Sequence, residues 1–115
     1  MTTKFQLFEK IIKINGREIH GGEKIVLQMK GTALNATGVG ICLMLVRNTK
    51  SEGTVDLEYI SASWSSGTGG MIYNCSPEWF HEHTNILFIS SIGWKAVNVY
   101  QEQLAKLNTE KRFDL

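Results

Sequence analysis

The sequence predicts an α+β fold: an antiparallel β-sheet of about five to seven strands with one C-terminal amphipathic helix packed on one face. Three observations carry this expectation. Short apolar or alternating runs recur between Ile11 and Ser90, each bounded by Gly, Asn or Ser. An Asn15-Gly16 pair lies between alternating isoleucines. From Trp94 onward the apolar period lengthens from two residues to three and four. Period two marks half-buried strands and period 3.6 marks a helix, and strands with tight connections followed by a closing helix form an antiparallel sheet covered on one side.

Phe5, Phe8, Ile11 and Ile12 fall at helical spacing, so residues 4–10 read equally as a short helix or as the start of the first strand. Ile12, Ile14 and Ile19 alternate around Asn15-Gly16. That pair favours a two-residue hairpin turn because both central positions take positive φ. Gly21-Gly22 closes the hairpin, and Lys24 to Met29 reads as the next strand. Thr32 to Gly38 is a polar loop, and Gly40 to Val46 is nearly all apolar, the pattern of a central strand covered on both faces.

Thr49 to Gly53 is a turn. In the run from Val55, the residues Val55, Leu57 and Tyr59 alternate with Asp56, Glu58 and Ile60, which gives a half-buried strand antiparallel to its predecessor. Ser65 to Gly70 forms a loop and Met71 to Cys75 a short strand. Ser76-Pro77-Glu78 has the form of a helix start, with a capping hydroxyl, a proline whose missing N–H costs nothing there, and an acid at the positive dipole end. One turn from Trp79 to His83 follows, then a strand from Ile86 to Ser90. Val97, Tyr100 or Gln101, Leu104 and Leu107 mark the buried stripe of the last helix, ended near Asn108, with Trp94 and Tyr100 read as core residues.

At 115 residues, with 32 of them Leu, Ile, Val or Phe, the chain has the length and apolar content of one self-sufficient domain spanning residues 1–115. It contains one proline and no repeat or low-complexity linker. The net charge of +1 hides an uneven spread: residues 1–31 are net +3, residues 32–93 net −3 and residues 94–115 net +1. No basic stripe follows from this, which argues against nucleic acid, whose affinity comes largely from Lys and Arg on phosphates. No apolar run approaches the roughly 20 residues of a membrane span, and no secretory leader is recognised, so the expected location is cytoplasmic. Cys42 and Cys75 are then reduced, buried thiols.

Four constellations raise the question of chemistry. His81-Glu82-His83 could present two imidazoles to a metal from a strand, but residues two apart on a helical turn diverge by about 200° and cannot chelate together. The reading from the sequence is a solvent-facing segment with one histidine packed on Trp79, and no metal or other cofactor. Asp56 and Glu58 share a strand face and have the chemistry of a general acid and base, yet the apolar residues opposite them make a soluble outer face the simpler role. Ser65 to Gly70 could offer N–H groups to an anion but lacks a P-loop lysine and helix. Cys42 sits in the most apolar strand, where a thiolate is suppressed. No catalytic residue is assigned.

Between Lys50 and Lys95 there is no Lys or Arg, yet this stretch holds Trp64, Trp79, Trp94, Tyr59 and Tyr73. Tyr and Trp bury much area at little rotamer entropy, as recognition surfaces require. The expected function is therefore a small non-catalytic binding protein. It meets a protein partner through Tyr59, Trp64, Ser65, Ser66, Thr68, Tyr73 and Trp79, in the manner of inhibitors, immunity factors or phage counter-defence proteins. One alternative turns the loop from residue 64 to residue 73 inward on a nucleotide-like or sugar-like small molecule. Another is a metal-dependent or acid/base hydrolase using His81, His83, Asp56 and Glu58. The charge split between the parts of the chain is also compatible with head-to-tail or symmetric self-association into a homo-oligomer.

Overall fold

The computed structural model describes residues 11–30, 40–49, 51–63, 69–90 and 93–113, with side chains described as far as Lys106. In chain order the strands are β1 (Ile11–Ile14), β2 (Arg17–His20), β3 (Lys24–Met29), β4 (Gly40–Arg47), β5 (Val55–Ala62) and β6 (Met71–Cys75). A short helix α1 (Pro77–His83), strand β7 (Thr84–Ser90) and helix α2 (Gly93–Phe113) complete the fold. The expected α+β architecture is present. Five strands form an antiparallel sheet in the order β6-β5-β4-β3-β7, and β1-β2 form a separate antiparallel pair.

Asn15 and Gly16 take φ of 51° and 81°, the doubly left-handed conformation that the β1-β2 hairpin turn requires. That hairpin is laid across one face of the large sheet. Ile12, Ile14 and Ile19 pack there on Ile25, Leu27, Met44 and Leu57, with Phe80 from α1 in the same cluster. The other face carries Val26, Ile41 and Leu43 under Ala96 and Tyr100 of α2. The sheet is thus sandwiched between a hairpin with α1 and the long helix. This explains the apolar run of β4: Ile41 and Leu43 serve one core, Cys42, Met44 and Val46 the other, as the expectation of a doubly covered central strand requires.

Three bulges adjust which side chains reach each core. Between β4 and β5 the register passes from Leu43↔Ser61 to Met44↔Tyr59, leaving Ile60 over. Between β3 and β7 it passes from Val26↔Phe88 to Leu27↔Ile86, leaving Leu87 over. Each extra residue shifts the alternation by one, so Tyr59 and Ala62, or Ile86 and Ile89, share the hairpin-side cluster although they are three apart. The third bulge sets the three steps of β6 from Ile72 to Cys75 against the two steps of β5 from Val55 to Leu57, with Asn74 at φ 57°.

The helices correct three sequence expectations. Ser76 caps α1 as expected, its Oγ accepting the Trp79 N–H at 3.1 Å, but β7 begins at Thr84 rather than Ile86. Helix α2 runs to Phe113, past Asn108. Its buried side is Ala96 and Tyr100, with Val99 and Leu104 half-buried, while Val97 is 37% and Trp94 63% exposed. Trp94 is therefore not a core residue. The stripe through Ala96 wins because its small side chain lets the helix settle on Val26 and Leu43, whereas the alternative stripe through Val97 and Gln101 has no such seat. The described residues contain no helix long and apolar enough to cross a membrane.

Candidate functional site

The aromatic residues singled out in the sequence fall on two faces of the sheet. Tyr59 follows Leu57 on the hairpin side, half-buried in the cluster, and burial raises its phenol pKa above the usual range. Trp79 packs against the same cluster from α1, edge-on to Phe80 (centroids 5.2 Å apart, interplanar angle 89°) and stacked on His83 (5.3 Å, 21°). Tyr73 lies with Asn74 on the bulged part of β6, between two inward residues, Ile72 and Cys75. Both bulge residues stand on the side of Asp56, opposite the hairpin. Trp64, Ser65, Ser66 and Thr68 lie outside the described residues, as do residues 4–10 and the loop from residue 32 to residue 38. The structure thus places Tyr59 and Trp79 on the same side of the sheet, against one cluster, and Tyr73 on the other.

Helix α2 makes its main sheet contacts with β3, β4 and β7, so the outer faces of β5 and β6 extend beside it. Its roll about its own axis is set by Tyr100, whose hydroxyl meets Ser61 Oγ of β5 at 3.0 Å. At about 100° per residue from Ala96 and Tyr100, Val97 lies on the flank turned toward β5, whereas Trp94 projects from the side of the helix away from the sheet, with Lys95 Nζ 5.8 Å from its ring centroid. The half-buried Glu58, Ile60 and Met71 of β5 and β6 form a shelf beside the helix, with Tyr73 (66% exposed) on the edge strand and Trp94 (63% exposed) on the outer side of α2. At its rim Arg47 Nη1 holds Glu58 Oε1 at 2.8 Å. Trp94, Val97 and Met71 were absent from the sequence-derived surface. The signal for Trp94 was its position three residues before Val97, which is informative only once the seated stripe is known.

The backbone of the shelf is held by polar contacts that occupy its acids. Asp56 Oδ1 accepts the Asn74 N–H at 2.9 Å, and Thr49 Oγ1 donates to Asn74 Oδ1 at 3.2 Å. With Glu58 paired to Arg47, both carboxylates have structural partners. They also lie on the opposite side of the sheet from α1, which carries the exposed His81 and His83, so the four groups of the hydrolase alternative do not converge. His83 Nδ1 lies 3.1 Å from the Trp79 carbonyl oxygen, in keeping with a histidine packed on Trp79. Among the described residues no three His, Cys, Asp or Glu side chains gather as a metal site.

Cys42 and Cys75 are free and buried, and burial raises each thiol to about 12. Cys42 is opposite Ala62 and Cys75 opposite Val55 on the intervening strand β5. That separation is about 20 Å at the usual rise of a strand, far beyond disulfide reach. Comparison of the chain with protein-family models, with curated proteins and with solved structures finds no match.

Proposed function

We propose that the chain is a non-catalytic binding protein that engages a protein partner through the shelf between α2 and the β5-β6 edge. The observation that carries this reading is the exposure of two large aromatic side chains, Trp94 on α2 and Tyr73 on the edge strand β6. Protein interfaces concentrate their affinity in a few aromatic anchors, with charged groups at the rim, and here the exposed Arg47, paired to Glu58, supplies such a charge. An inhibitor or immunity factor needs no more than such a rigid surface, because occlusion of its target is the whole of its action. The small-molecule alternative centred on Ser65, Ser66 and Thr68 has no comparable support, since those residues lie outside the described part.

A photoreactive amino acid placed at position 94, at position 73, or at position 82 on the other side of the sheet tests the reading in an extract of the source cells. One and the same protein cross-linked from positions 94 and 73, and not from position 82, is the expected result. Equal labelling from all three positions, or none from 94 and 73, would overturn the proposal.

A further inference from the structure

On the hairpin side, the turn at Asn15-Gly16 overhangs α1 and the start of β7, leaving two adjoining recesses. One, of about 270 Å³, is lined mainly by polar groups, among them Asn15, Arg17, Lys30, His81 and Asn85. The other, of about 350 Å³, is bounded by Lys13, Pro77, Glu78 and Glu82 and shares Ile14, Asn15 and His81 with the first. The buried Phe80 and Thr84 lie beneath the polar recess, and the Thr84 hydroxyl is taken up by the Phe80 carbonyl at 2.8 Å.

The two cations of the polar recess come from different strands and are brought together by the fold. Arg17, next after the hairpin turn, donates through Nη1 to the Ile86 carbonyl at 3.1 Å. Lys30, just beyond β3, donates through Nζ to the His81 carbonyl at 3.0 Å. Each is anchored by one donor and retains others. Among the described residues neither forms an ion pair, and no carboxylate lines this recess. Two fixed positive charges, with imidazole and carboxamide groups beside them, match a tetrahedral dianion better than a monoanionic carboxylate. The neighbouring recess differs in kind: Ile14 and Pro77 offer an apolar wall, and Glu78 and Glu82 are acceptors suited to hydroxyl groups.

We propose that the double recess binds a small phosphorylated, hydroxyl-bearing molecule. Its phosphate sits on Arg17 and Lys30, and its body lies along Ile14 and Pro77 with hydroxyls on Glu78 or Glu82. The site is on the opposite face of the sheet from the shelf and stands independently of it.

Amide shifts of the ¹⁵N-labelled protein test this in titrations with inorganic phosphate, ribose 5-phosphate and acetate at matched ionic strength. Inorganic phosphate is expected to move the amides of residues 14–17, 30 and 81–86 with a Kd of about 1 mM, ribose 5-phosphate to bind about tenfold tighter, and acetate to move none of them. Arg17→Gln and Lys30→Gln are each expected to weaken phosphate binding about tenfold, with Lys95→Gln unchanged. Because Arg17 also braces Ile86, Lys30→Gln decides the matter if Arg17→Gln lowers the thermal midpoint. Scattered or absent shifts up to about 20 mM phosphate, twentyfold above that expected Kd, or binding that persists in Lys30→Gln, would overturn the anion site. Ribose 5-phosphate binding no tighter than phosphate would overturn the assignment of the second recess.

Discussion

Ser61 Oγ on β5 donates a hydrogen bond to Tyr100 OH on α2 at 3.0 Å, spanning the interface between sheet and helix. The Tyr100 ring is 2% exposed, so one side chain both fills the helix-side core and fixes the roll of the helix. Removing the hydroxyl in Tyr100→Phe should lower stability by about 1 kcal/mol, the usual net value of such a bond. Tyr100→Ala should cost about 3–5 kcal/mol, since the ring's contacts go as well. Urea unfolding of both variants checks the two figures, and similar losses would mean that the hydrogen bond, rather than the packing, dominates.

Asn74 occupies the left-handed region at φ 57°, its N–H on Asp56 and its carboxamide oxygen accepting from Thr49. Asn74→Ala keeps the strained backbone without the side-chain compensation and should cost about 1–2 kcal/mol. Asn74→Gly loses the Thr49 contact but relieves the backbone, and should fall within about 0.5 kcal/mol of the parent. An alanine variant as stable as the glycine variant in urea melts would remove the bulge from the account of β6.

These two sites mark where the fold was legible in the sequence and where it was not. Turn and cap chemistry are local, so Asn15-Gly16 and Ser76-Pro77-Glu78 announced the hairpin and the start of α1. The double covering of β4 was readable because burial on both faces removes polar residues from a strand. The bulges at Ile60, Leu87 and Asn74 are properties of pairing between strands, and no single strand records them. Placement of the β1-β2 hairpin over the sheet is also nonlocal, since the same turn would serve a hairpin inside the sheet. For the candidate surface, aromatic content was visible but its partition was not. Tyr59 and Tyr73 belong to opposite faces, and Trp94 moved outward because Ala96 gave the helix a closer seat.

Alkaline pH should destabilise the protein through its buried thiols. Burial raises Cys42 and Cys75 from 9.0 to about 12, and it raises the phenols of Tyr59 and Tyr100 in the same direction. Above pH 9 the unfolded chain releases thiol protons that the folded chain retains, so the unfolded state binds fewer protons and stability falls as pH rises toward 12. The contribution is fully present below pH 9. A Cys42→Ala, Cys75→Ala double variant should show a shallower decline between pH 9 and pH 11 than the parent, read from urea midpoints at each pH. An equally steep decline would assign the effect to other groups.

Trp94 and Tyr73 separate binding from stability, because both are largely exposed and neither belongs to a core cluster. Trp94→Ala and Tyr73→Ala should each leave the unfolding free energy within about 0.5 kcal/mol of the parent. If they anchor a protein partner, each should weaken that complex by about 2 kcal/mol or more, roughly thirtyfold, whereas Arg47→Ala at the rim should change it only a few-fold. Fluorescence gives an independent reading. In a protein whose Trp64 and Trp79 are replaced by phenylalanine, iodide should quench Trp94 readily in the free state and lose access when the partner is bound. Continued quenching in the complex would place the contact elsewhere even if affinity fell in Trp94→Ala, because the loss would then arise from a displaced helix rather than from a missing anchor.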